Sequence, residues 1–390
     1  MYQQPLLSPK PPVLFLRRHT MPLCTYWDRD GNEVRLETYP SSFLHWVPGE
    51  TLNEPYRAAL ERVEAALSIN ARQMDVRGLD TSRSLVLDIE FADGARRIVR
   101  VLSDHPAPRD MKRARKRFEC EVGVMRWLRK HSSVPVPKIY NFGATFVAME
   151  RMPGECILNV FGDWPYSMKE RAVLSYAEHA LALFRLDVPQ GRIGTLCPAG
   201  DALDVTPRAV IRESYCADKV YATLEDFAHA LVEQRRRAAP LSPGTSAAID
   251  RVAALLPEAC SRVAESPFRR SILVHDDLNE TNVLVGAQGE VAGIVDWEFH
   301  SVLPAVLAAQ YPRWIRYDGA LDPREGAGGT MAKYWLASPG DAARLRDAFA
   351  QYVKDRDAEY WRALVEGERL RQIVDWLSDP ELEEWADCEP

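Results

Sequence analysis

A cluster of polar residues with a fixed spacing lies in the last third of the chain. It reads His275-x-Asp277-x-x-x-x-Asn282, and a further carboxylate, Asp296, follows one predicted hairpin later. Phosphoryl transfer requires a carboxylate directed at the attacking hydroxyl and oxygen ligands that hold Mg²⁺ across the phosphates. We therefore predict that Asp277 is the catalytic base and that Asn282 and Asp296 bind magnesium. His275 is expected to brace the loop by hydrogen bonding rather than to transfer protons.

The alternative for this motif is a surface turn that collects polar residues by chance. Apolar runs at 272–274, 283–285 and 291–295 argue against it, because they predict short strands on both sides of the motif. A hairpin brings its two ends together, so Asn282 and Asp296 should lie side by side. These flanking strands favour a functional site over a chance turn.

The front part of the chain is rich in predicted strands. Alternating apolar residues over 85–102, with Asp93-Gly94 at the turn, predict a hairpin. Residues 146–149 predict another buried strand, and apolar residues recur at helical spacing from Phe118 onwards. The first 150 residues are therefore expected to form strands with one marked helix.

Helical patterns dominate the back part of the chain. Ser167 and Glu170 form a capping-box pattern ahead of one helix, and a second helix is predicted over about 246–257. Loops are expected near 191–206 and 238–244, and helices again from Asp341 to an acidic end. This distribution predicts an α+β fold of two lobes that meet near Met152–Gly154. The predicted divisions are a partly irregular N-terminal extension (1–50), a nucleotide-binding N-lobe (51–152) and a mainly helical C-lobe (153–390).

The bulk composition excludes several classes of protein. The net charge of −7 argues against wholesale binding to nucleic acid, and no apolar run approaches the roughly 18 residues that a membrane-spanning helix needs. Near the N-terminus, Arg17 and Arg18 follow a short apolar stretch rather than precede it, which is the wrong order for a secretory signal. We predict a cytoplasmic protein without nucleic-acid or membrane partners, of undetermined oligomeric state.

The cysteines give a second indication of the compartment. The chain has seven cysteines, scattered and without a Cys-x-x-Cys pair. An odd, dispersed set is typical of free thiols in a reducing compartment rather than of a disulfide framework or a zinc site. We therefore expect free thiols.

The motif and its surroundings resemble a known family. The stretches LVHDDLNETNVLV (273–285) and IVDWE (294–298) are similar to the catalytic loop and metal-binding strand of the aminoglycoside phosphotransferase-like family, related to choline kinases and protein kinases. The likeness continues into AAQYPRW (308–314) and covers about residues 75–320. It implies the protein-kinase-like two-lobed fold, with ATP in the cleft and a small-molecule acceptor bound by helices of the second lobe.

The resemblance also implies a cation on a strand of the front lobe that holds the α- and β-phosphates. Arg100 lies in such a strand, with apolar neighbours on both sides. A buried charge needs a partner, and Glu121 on the following helix is the natural one. We predict that both contribute to nucleotide binding; the alternative is a purely structural ion pair. Protein kinases carry lysine where this chain has arginine.

The segment after the strand at 146–149 resembles the hinge between the lobes. Backbone groups near Glu150 and Met152 are predicted to bind adenine, and the alternative is an ordinary strand-to-helix loop. The glycine-rich phosphate loop is poorly matched, since only Gly78 precedes the first strand and no Gly-x-Gly-x-x-Gly is present there.

Three further features carry an alternative each. Asp276 replaces a small residue common at this position and is expected to be a solvated loop side chain, although it could tune the acceptor site. Glu298 is expected to be structural rather than a further carboxylate at the metal site. The basic stretch over 109–117 is expected to form a solvated helix face rather than a nucleic-acid or membrane surface.

Three functions remain to be compared. The leading one is an ATP- and Mg²⁺-dependent phosphotransferase acting on a hydroxyl of a small molecule. The second is a catalytically weak or inactive kinase-like binding or scaffold protein, favoured by the poor glycine loop and by Arg100. The third, a protein kinase, is disfavoured because no Ala-Pro-Glu follows Asp296 and because a long helical insertion occupies 155–270.

Overall fold

The structure is a computed structural model of the 390-residue chain. It describes residues 23–28, 30–37, 44–46, 61–65, 67, 76–80, 84–90, 94–102, 108–143, 145–200, 202–209, 219–237, 242–315 and 334–378. The acidic end predicted from the sequence lies outside these residues, as do Cys216 and Cys388.

Fifteen strands are present in the described residues. They are β1 Leu23–Trp27, β2 Glu33–Glu37, β3 Leu44–Trp46, β4 Val76–Asp80, β5 Ser84–Glu90, β6 Arg96–Leu102, β7 Ile139–Phe142, β8 Phe146–Glu150, β9 Glu155–Cys156, β10 Thr195–Ala199, β11 Ala202–Thr206, β12 Ser271–His275, β13 Val283–Val285, β14 Val291–Ile294 and β15 His300–Pro304. The helices with defined bounds are α1 Pro108–His131, α2 Tyr166–Phe184, α3 Leu224–Arg237, α4 Pro243–Arg262, α5 Ser266–Arg269, α6 Ala305–Ala308, α7 Pro339–Arg356, α8 Ala358–Glu366 and α9 Glu368–Ser378. Among the helices of the described segments, none is long and apolar enough to cross a membrane.

The front lobe is built on a six-stranded antiparallel sheet in the spatial order β3-β4-β5-β6-β8-β7. The hairpin predicted over 85–102 is confirmed, since β5 pairs with β6 from Ser84 opposite Leu102 to Glu90 opposite Arg96. Gly94 near its turn has φ 77°, in the left-handed region that glycine enters without steric cost. The hairpin places Arg100 in β6, a central strand of this sheet.

Helix α1 packs on this sheet through its apolar face. Phe118 and Val122, one turn apart, are buried against Val147 and Met149 of β8. Full burial of each such side chain is worth about 1.5–3 kcal/mol. This packing fixes the side of α1 on which Glu121 lies.

The back lobe carries the polar motif on two small sheets among helices. Strand β12 pairs with β15, and β13 lies between β14 and β9. The predicted strands at 272–274, 283–285 and 291–295 are confirmed, and β13 pairs with β14 from Val283 opposite Ile294. The α+β two-lobed fold predicted from the sequence, with a strand-rich front lobe and a mainly helical back lobe, is thereby confirmed.

Two predicted helix boundaries are wrong. Helix α2 begins at Tyr166 with Pro165 as its N-cap, so Ser167 lies inside the first turn and forms no capping box. Helix α4 begins earlier than expected because the Ser242 side chain accepts a hydrogen bond from the Thr245 amide at 3.1 Å. It also continues through Pro257 to Arg262, since buried residues on the following turn keep that turn packed against the core.

The loop predicted near 191–206 is also wrong, because a hairpin occupies most of it. Strands β10 and β11 pair from Thr195 opposite Thr206 to Ala199 opposite Ala202. Gly200, with φ 67°, lies at the connection and adopts the left-handed conformation there. The two strands form a separate two-stranded ribbon, so each is an edge strand. Pro198, which has no amide hydrogen to donate, is tolerated there and does not interrupt a larger sheet.

Strands β1 and β2 form a ribbon that packs on the back lobe. The Thr25 hydroxyl donates to Asp163 at 2.6 Å, and the backbones of Trp27 and Trp335 exchange two hydrogen bonds of 2.9 Å. Gly162 lies so close to Thr25 that a Cβ there would meet the Thr25 carbonyl at 1.8 Å. The predicted extension over 1–50 thus includes this ribbon and, in β3, a strand of the front-lobe sheet.

The expectation of free thiols is wrong for two cysteines. Cys120 of α1 and Cys197 of β10 form a disulfide across a sequence separation of 77 residues. The other cysteines in the described segments, Cys24, Cys156 and Cys260, are free thiols. The pairing depends on how α1 meets β10 in space, and the residue spacing carries no sign of it.

Candidate active site

The loop between β12 and β13 carries the polar motif and is held at its start by His275. This side chain is buried, and burial lowers its pKa, so the ring is neutral. Its Nδ1 accepts the Asp277 amide at 3.2 Å, and its Nε2 donates to the Val295 carbonyl at 2.9 Å. His275 thereby links the start of the loop to the residue before Asp296.

Asp277 projects from this loop with both carboxylate oxygens engaged. The Asn279 amide donates to Oδ1 at 2.8 Å, and the Asn282 amide lies 3.4 Å from Oδ2. Burial raises the pKa of Asp277 to about 6, the Asp296 carboxylate adds to the shift, and Arg313 opposes it. A carboxyl group with a pKa near neutrality is well matched to accepting a proton in a reaction near pH 7.

The Asn282 side chain uses its amide nitrogen for a hydrogen bond within the protein. Its Nδ2 donates to the Asp277 carbonyl at 2.8 Å, while its Oδ1 is approached only by the Thr281 hydroxyl, at 3.4 Å, among the described residues. The side chain is 7% exposed. The amide oxygen is thus left available for a cation.

Asp296 follows β14 in an unusual backbone conformation. Its φ of 64° is the only positive φ of a non-glycine residue in the described part of the chain, and such conformations concentrate at functional sites. The Val295 amide donates to the Asn282 carbonyl at 3.0 Å, which extends the β13–β14 pairing to the edge of the motif. Asp296 is therefore one residue beyond Asn282's partner, and its side chain is 40% exposed.

Arg100 of the front lobe contacts the carboxylate of Asp296 in the back lobe. Its guanidinium forms an ion pair with Glu121, contacts Asp296 Oδ1 at 2.7 Å and lies 3.5 Å from Glu298. It also lies over the Phe118 ring, 4.8 Å from the centroid. Burial disfavours the charged guanidinium, but the three carboxylates outweigh it and raise the pKa of Arg100. The arginine is therefore charged at all pH values of interest.

Asp296 carries the most exposed of the three carboxyl groups around Arg100, with 40% of its side chain exposed. Glu298 is buried and also pairs with Arg117 at 3.1 Å. Glu121 is buried as well, and burial raises its pKa to about 8 despite the neighbouring charge of Arg100. An accessible carboxylate such as that of Asp296 suits a divalent cation.

The predicted hinge residues Glu150 and Met152 lie at and just beyond the end of β8. The backbone amide of Glu150 donates to the Lys138 carbonyl at 2.8 Å, so this amide is already used. Met152 covers β14, since a Cβ on Gly293 would lie 3.0 Å from the Met152 Cβ. Gly78, the glycine predicted to precede the first strand, lies within β4. The structure thus brings Met152 against Gly293 of β14, and it leaves the Glu150 amide already bonded.

Asp276 corrects an expectation from the sequence. Its side chain is only 8% exposed, and Arg208 donates to its Oδ1 at 2.9 Å. The Ser301 hydroxyl donates to Oδ2 at 2.5 Å and also accepts from Arg208 at 2.8 Å. The carboxylate is therefore held by a partner 68 residues away in sequence, and it is not a solvated loop side chain.

Replacing Arg208 by glutamine is expected to destabilise the protein by about 1–3 kcal/mol, because it leaves the Asp276 carboxylate buried without its charged partner. The double variant Arg208→Gln with Asp276→Asn should recover part of this loss, since no charge remains unpaired. Urea unfolding followed by tryptophan fluorescence measures both values. Equal stability of the single variant and the unchanged protein would contradict the pairing.

The structure adds residues that the sequence analysis did not assign. Asn279 orients Asp277, and its Oδ1 accepts from the Thr281 amide at 2.8 Å, a local turn that an Asn two residues after Asp277 could have suggested. Arg117 was expected on a solvated helix face but is buried against Glu298. Lys116, its neighbour in the chain, is exposed as predicted. The helical period alone separates the two.

Known proteins resemble this chain over most of its length. The profile described as "Phosphotransferase enzyme family" matches residues 77–306. The protein of Ampulloclitocybe clavipes called "Clavilactone A biosynthesis cluster protein Y" is 35% identical over 372 residues, which cover 90% of each chain.

Solved structures are similar at a lower level. The crystal structure of aminoglycoside phosphotransferase APH(4)-Ia has a TM-score of 0.46 at 15% identity, with 83% of this chain and 97% of that chain covered. Macrolide 2'-phosphotransferase type I has a TM-score of 0.47 at 13% identity, with 83% of this chain and 90% of that chain covered.

Proposed function

The chain belongs to the phosphotransferase enzyme family, and from its site we propose that it moves the γ-phosphate of ATP, with Mg²⁺, onto a hydroxyl group of a small molecule. The observation that carries this proposal is the arrangement of three side chains at neighbouring strand ends. Asp277 lies against Asn282, and Asp296 follows the strand paired with the one that Asn282 precedes. A base and two oxygen ligands in this order meet the requirements of phosphoryl transfer.

Asp277 is proposed to orient the acceptor hydroxyl and to accept its proton. Asn279 and Asn282 hold the carboxylate in place, which limits the rotation that would otherwise weaken its alignment with the acceptor. Its pKa of about 6 leaves it mostly ionised near pH 7 and still basic enough to take a proton as the hydroxyl attacks.

Asn282 and Asp296 are proposed to hold Mg²⁺. The donor atoms fit, because Mg²⁺ prefers carboxylate and amide oxygens and takes its remaining ligands from water and phosphate. The exposure of Asp296 supports the same assignment, since its carboxylate is accessible whereas those of Glu121 and Glu298 are buried. When bound, the ion would offset charge that develops on the phosphates during transfer.

Arg100 is proposed to contact the α- and β-phosphates, with Glu121 as its orienting partner. Glu121 is 1% exposed and fixed on α1, so it holds one edge of the guanidinium while another edge faces Asp296. Met152 is proposed to pack on the adenine base above Gly293. The backbone amide of Glu150 already donates to the Lys138 carbonyl, so an adenine contact at Glu150 would use its other polar groups and not this amide.

The acceptor is proposed to be a small molecule. The relative with 35% identity is named for the biosynthesis cluster of one compound, clavilactone A, and this naming favours a small-molecule acceptor over a protein. The long back-lobe segment between β9 and β12 supplies the helices from which an acceptor pocket could be built.

Binding of the nucleotide is testable without knowledge of the acceptor. A saturating non-hydrolysable ATP analogue, AMP-PNP, with Mg²⁺ should stabilise the fold by about 2.7 kcal/mol at a concentration one hundred times its Kd. Differential scanning fluorimetry with and without EDTA measures the shift and its dependence on the metal. Asp296→Asn should remove most of the Mg²⁺-dependent part, whereas Asp250→Asn, an exposed carboxylate on α4, should not.

The opposite result has a clear meaning. If millimolar AMP-PNP with Mg²⁺ gives no shift in the unchanged protein, the nucleotide site is absent and the scaffold function is favoured. A shift that is equal with and without EDTA would leave nucleotide binding in place but contradict the magnesium ligands.

A further inference from the structure

A covalent bond joins helix α1 of the front lobe to strand β10 of the back lobe. The disulfide between Cys120 of α1 and Cys197 of β10 brings their Cα atoms to 4.5 Å. The surrounding approach is close as well, because a Cβ on Gly123 would lie 2.6 Å from the Pro198 carbonyl oxygen. Helix α1 of the front lobe therefore rests directly on a strand of the back lobe.

On the front-lobe side, the bond is next to the residue that holds Arg100. Cys120 precedes Glu121 in α1, and Glu121 forms the buried ion pair with Arg100. Arg100 in turn contacts Asp296 at 2.7 Å. A shift of α1 relative to β10 would therefore move Glu121 and change the contact between Arg100 and Asp296.

On the back-lobe side, the bond is tied to the strands that frame the motif. The carbonyl of Leu196, the neighbour of Cys197, lies 2.7 Å from Nε2 of the buried His300. The backbones of Gly194 and Val302 also exchange hydrogen bonds of 2.7 and 3.3 Å. His300 and Val302 belong to β15, which pairs with β12 up to His275. The bond thus connects α1 to the strand that precedes the catalytic loop.

The free thiols in the described segments are expected to react slowly in thiol–disulfide exchange. Burial raises the pKa of Cys24 and Cys156 to about 11, and it also raises the pKa of Cys260. The thiolate is the reactive form of cysteine, so a raised pKa suppresses exchange. Among these five cysteines, Cys120 and Cys197 are the pair that forms a disulfide, and they are 2% and 8% exposed, so a reductant has better access to Cys197 than to Cys120.

We propose that Cys120 and Cys197 form a redox-modification site that controls nucleotide affinity, an inference that rests on the proposed function. A dithiol reductant, of the thioredoxin or dithiothreitol class, attacks one sulfur through its thiolate and then releases itself as a cyclic disulfide. Two electrons and two protons pass to the protein, which gains two thiols, while the reductant loses them. The reduced form loses the link that fixes Glu121 against the back lobe, and it binds nucleotide more weakly.

The test compares the affinity of the oxidised and reduced protein for Mg²⁺ with AMP-PNP. Isothermal titration gives Kd in each state, and mass spectrometry after alkylation reports how many thiols are free. We expect Kd to rise about tenfold on reduction with dithiothreitol, within the usual range for coupling between two sites. By the same coupling, bound AMP-PNP should make the disulfide about tenfold harder to reduce.

Two variants separate this site from general effects of the reductant. Cys197→Ser should bind AMP-PNP like the reduced protein and should not respond to dithiothreitol. Cys260→Ser, which removes a buried free thiol in α4, should respond like the unchanged protein. If Cys197→Ser does not fold, as judged by circular dichroism, the comparison of the two redox states of the unchanged protein still decides the question.

Each other outcome overturns a different statement. Equal Kd values in the two states, or a protein prepared with an oxidant in which Cys120 and Cys197 both remain alkylatable, overturn the redox site and leave the proposed function standing. Absence of AMP-PNP binding in both states overturns the proposed function and the redox site together.

Discussion

Replacing Asp277 by asparagine is expected to lower the turnover of phosphoryl transfer by about 10²–10⁴-fold, the usual contribution of a positioned general base. The amide keeps the shape of the side chain and one accepting oxygen, so it retains the contact with Asn279 or with Asn282 but not both, and it cannot accept the proton of the acceptor hydroxyl. Nucleotide affinity should change little, because the proposed role of Asp277 is to contact the acceptor rather than the phosphates. Consumption of ATP, screened against a panel of hydroxyl-bearing metabolites, identifies the acceptor and then measures the variant.

Asp250→Asn is the matched control for this substitution. It makes the same change at an exposed carboxylate of α4 that pairs with Arg236 at 2.9 Å and, among the described residues, has no hydrogen bond or ion pair with the motif. Its turnover should equal that of the unchanged protein. If Asp277→Asn retained full turnover with the identified acceptor, Asp277 would not be the base.

Replacing Arg100 by methionine should have the largest effect on stability. It leaves the buried carboxylate of Glu121 without its cation and removes one of the two arginines that contact Glu298. Loss of one partner from a buried ion pair costs about 3–5 kcal/mol. The variant should also bind AMP-PNP with Mg²⁺ far more weakly, because the proposed phosphate contact is lost. Urea unfolding and titration calorimetry measure the two effects separately.

A second variant distinguishes the structural from the functional part of Arg100. Arg100→Met combined with Glu121→Gln removes the unpaired charge, so much of the lost stability should return, while nucleotide affinity should remain low. Recovery of both stability and affinity would show that Arg100 is a structural ion-pair partner only. Full affinity in the single variant would lead to the same conclusion.

The sequence was most informative where chemistry and local structure coincide. Asp277, Asn282 and Asp296 lie within 20 residues of one another, and the strand signals at 283–285 and 291–295 sufficed to place them at neighbouring strand ends. The strand that carries Arg100 was recognisable for a similar reason, because an alternating pattern with a turn at Gly94 predicts a hairpin. Hairpins are set by contacts that are short in sequence, so the pattern contains most of what determines them.

Features that depend on distant contacts were beyond the sequence. Arg208 neutralises Asp276 across 68 residues, and Cys120 meets Cys197 across 77. Neither residue type nor local period indicates such a partner, so Asp276 was assigned to solvent and the cysteines to free thiols. Arg117 is a different case, because the helical period could have separated it from exposed Lys116, although its contact with Glu298 is again distant in sequence. Tertiary packing decides these positions.

The ribbon of β1 and β2 changes what the two lobes are in terms of chain connectivity. Because residues 23–37 pack on the back lobe and β3 already belongs to the front sheet, the polypeptide crosses from one lobe to the other twice, between Glu37 and Leu44 and again near Met152. The front lobe is thus inserted in sequence between two segments of the back lobe. Deletion of residues 23–37 would therefore remove the contacts of Thr25 with Asp163 and of Trp27 with Trp335. The two lobes would then be joined by the chain near Met152 and by the Cys120–Cys197 disulfide.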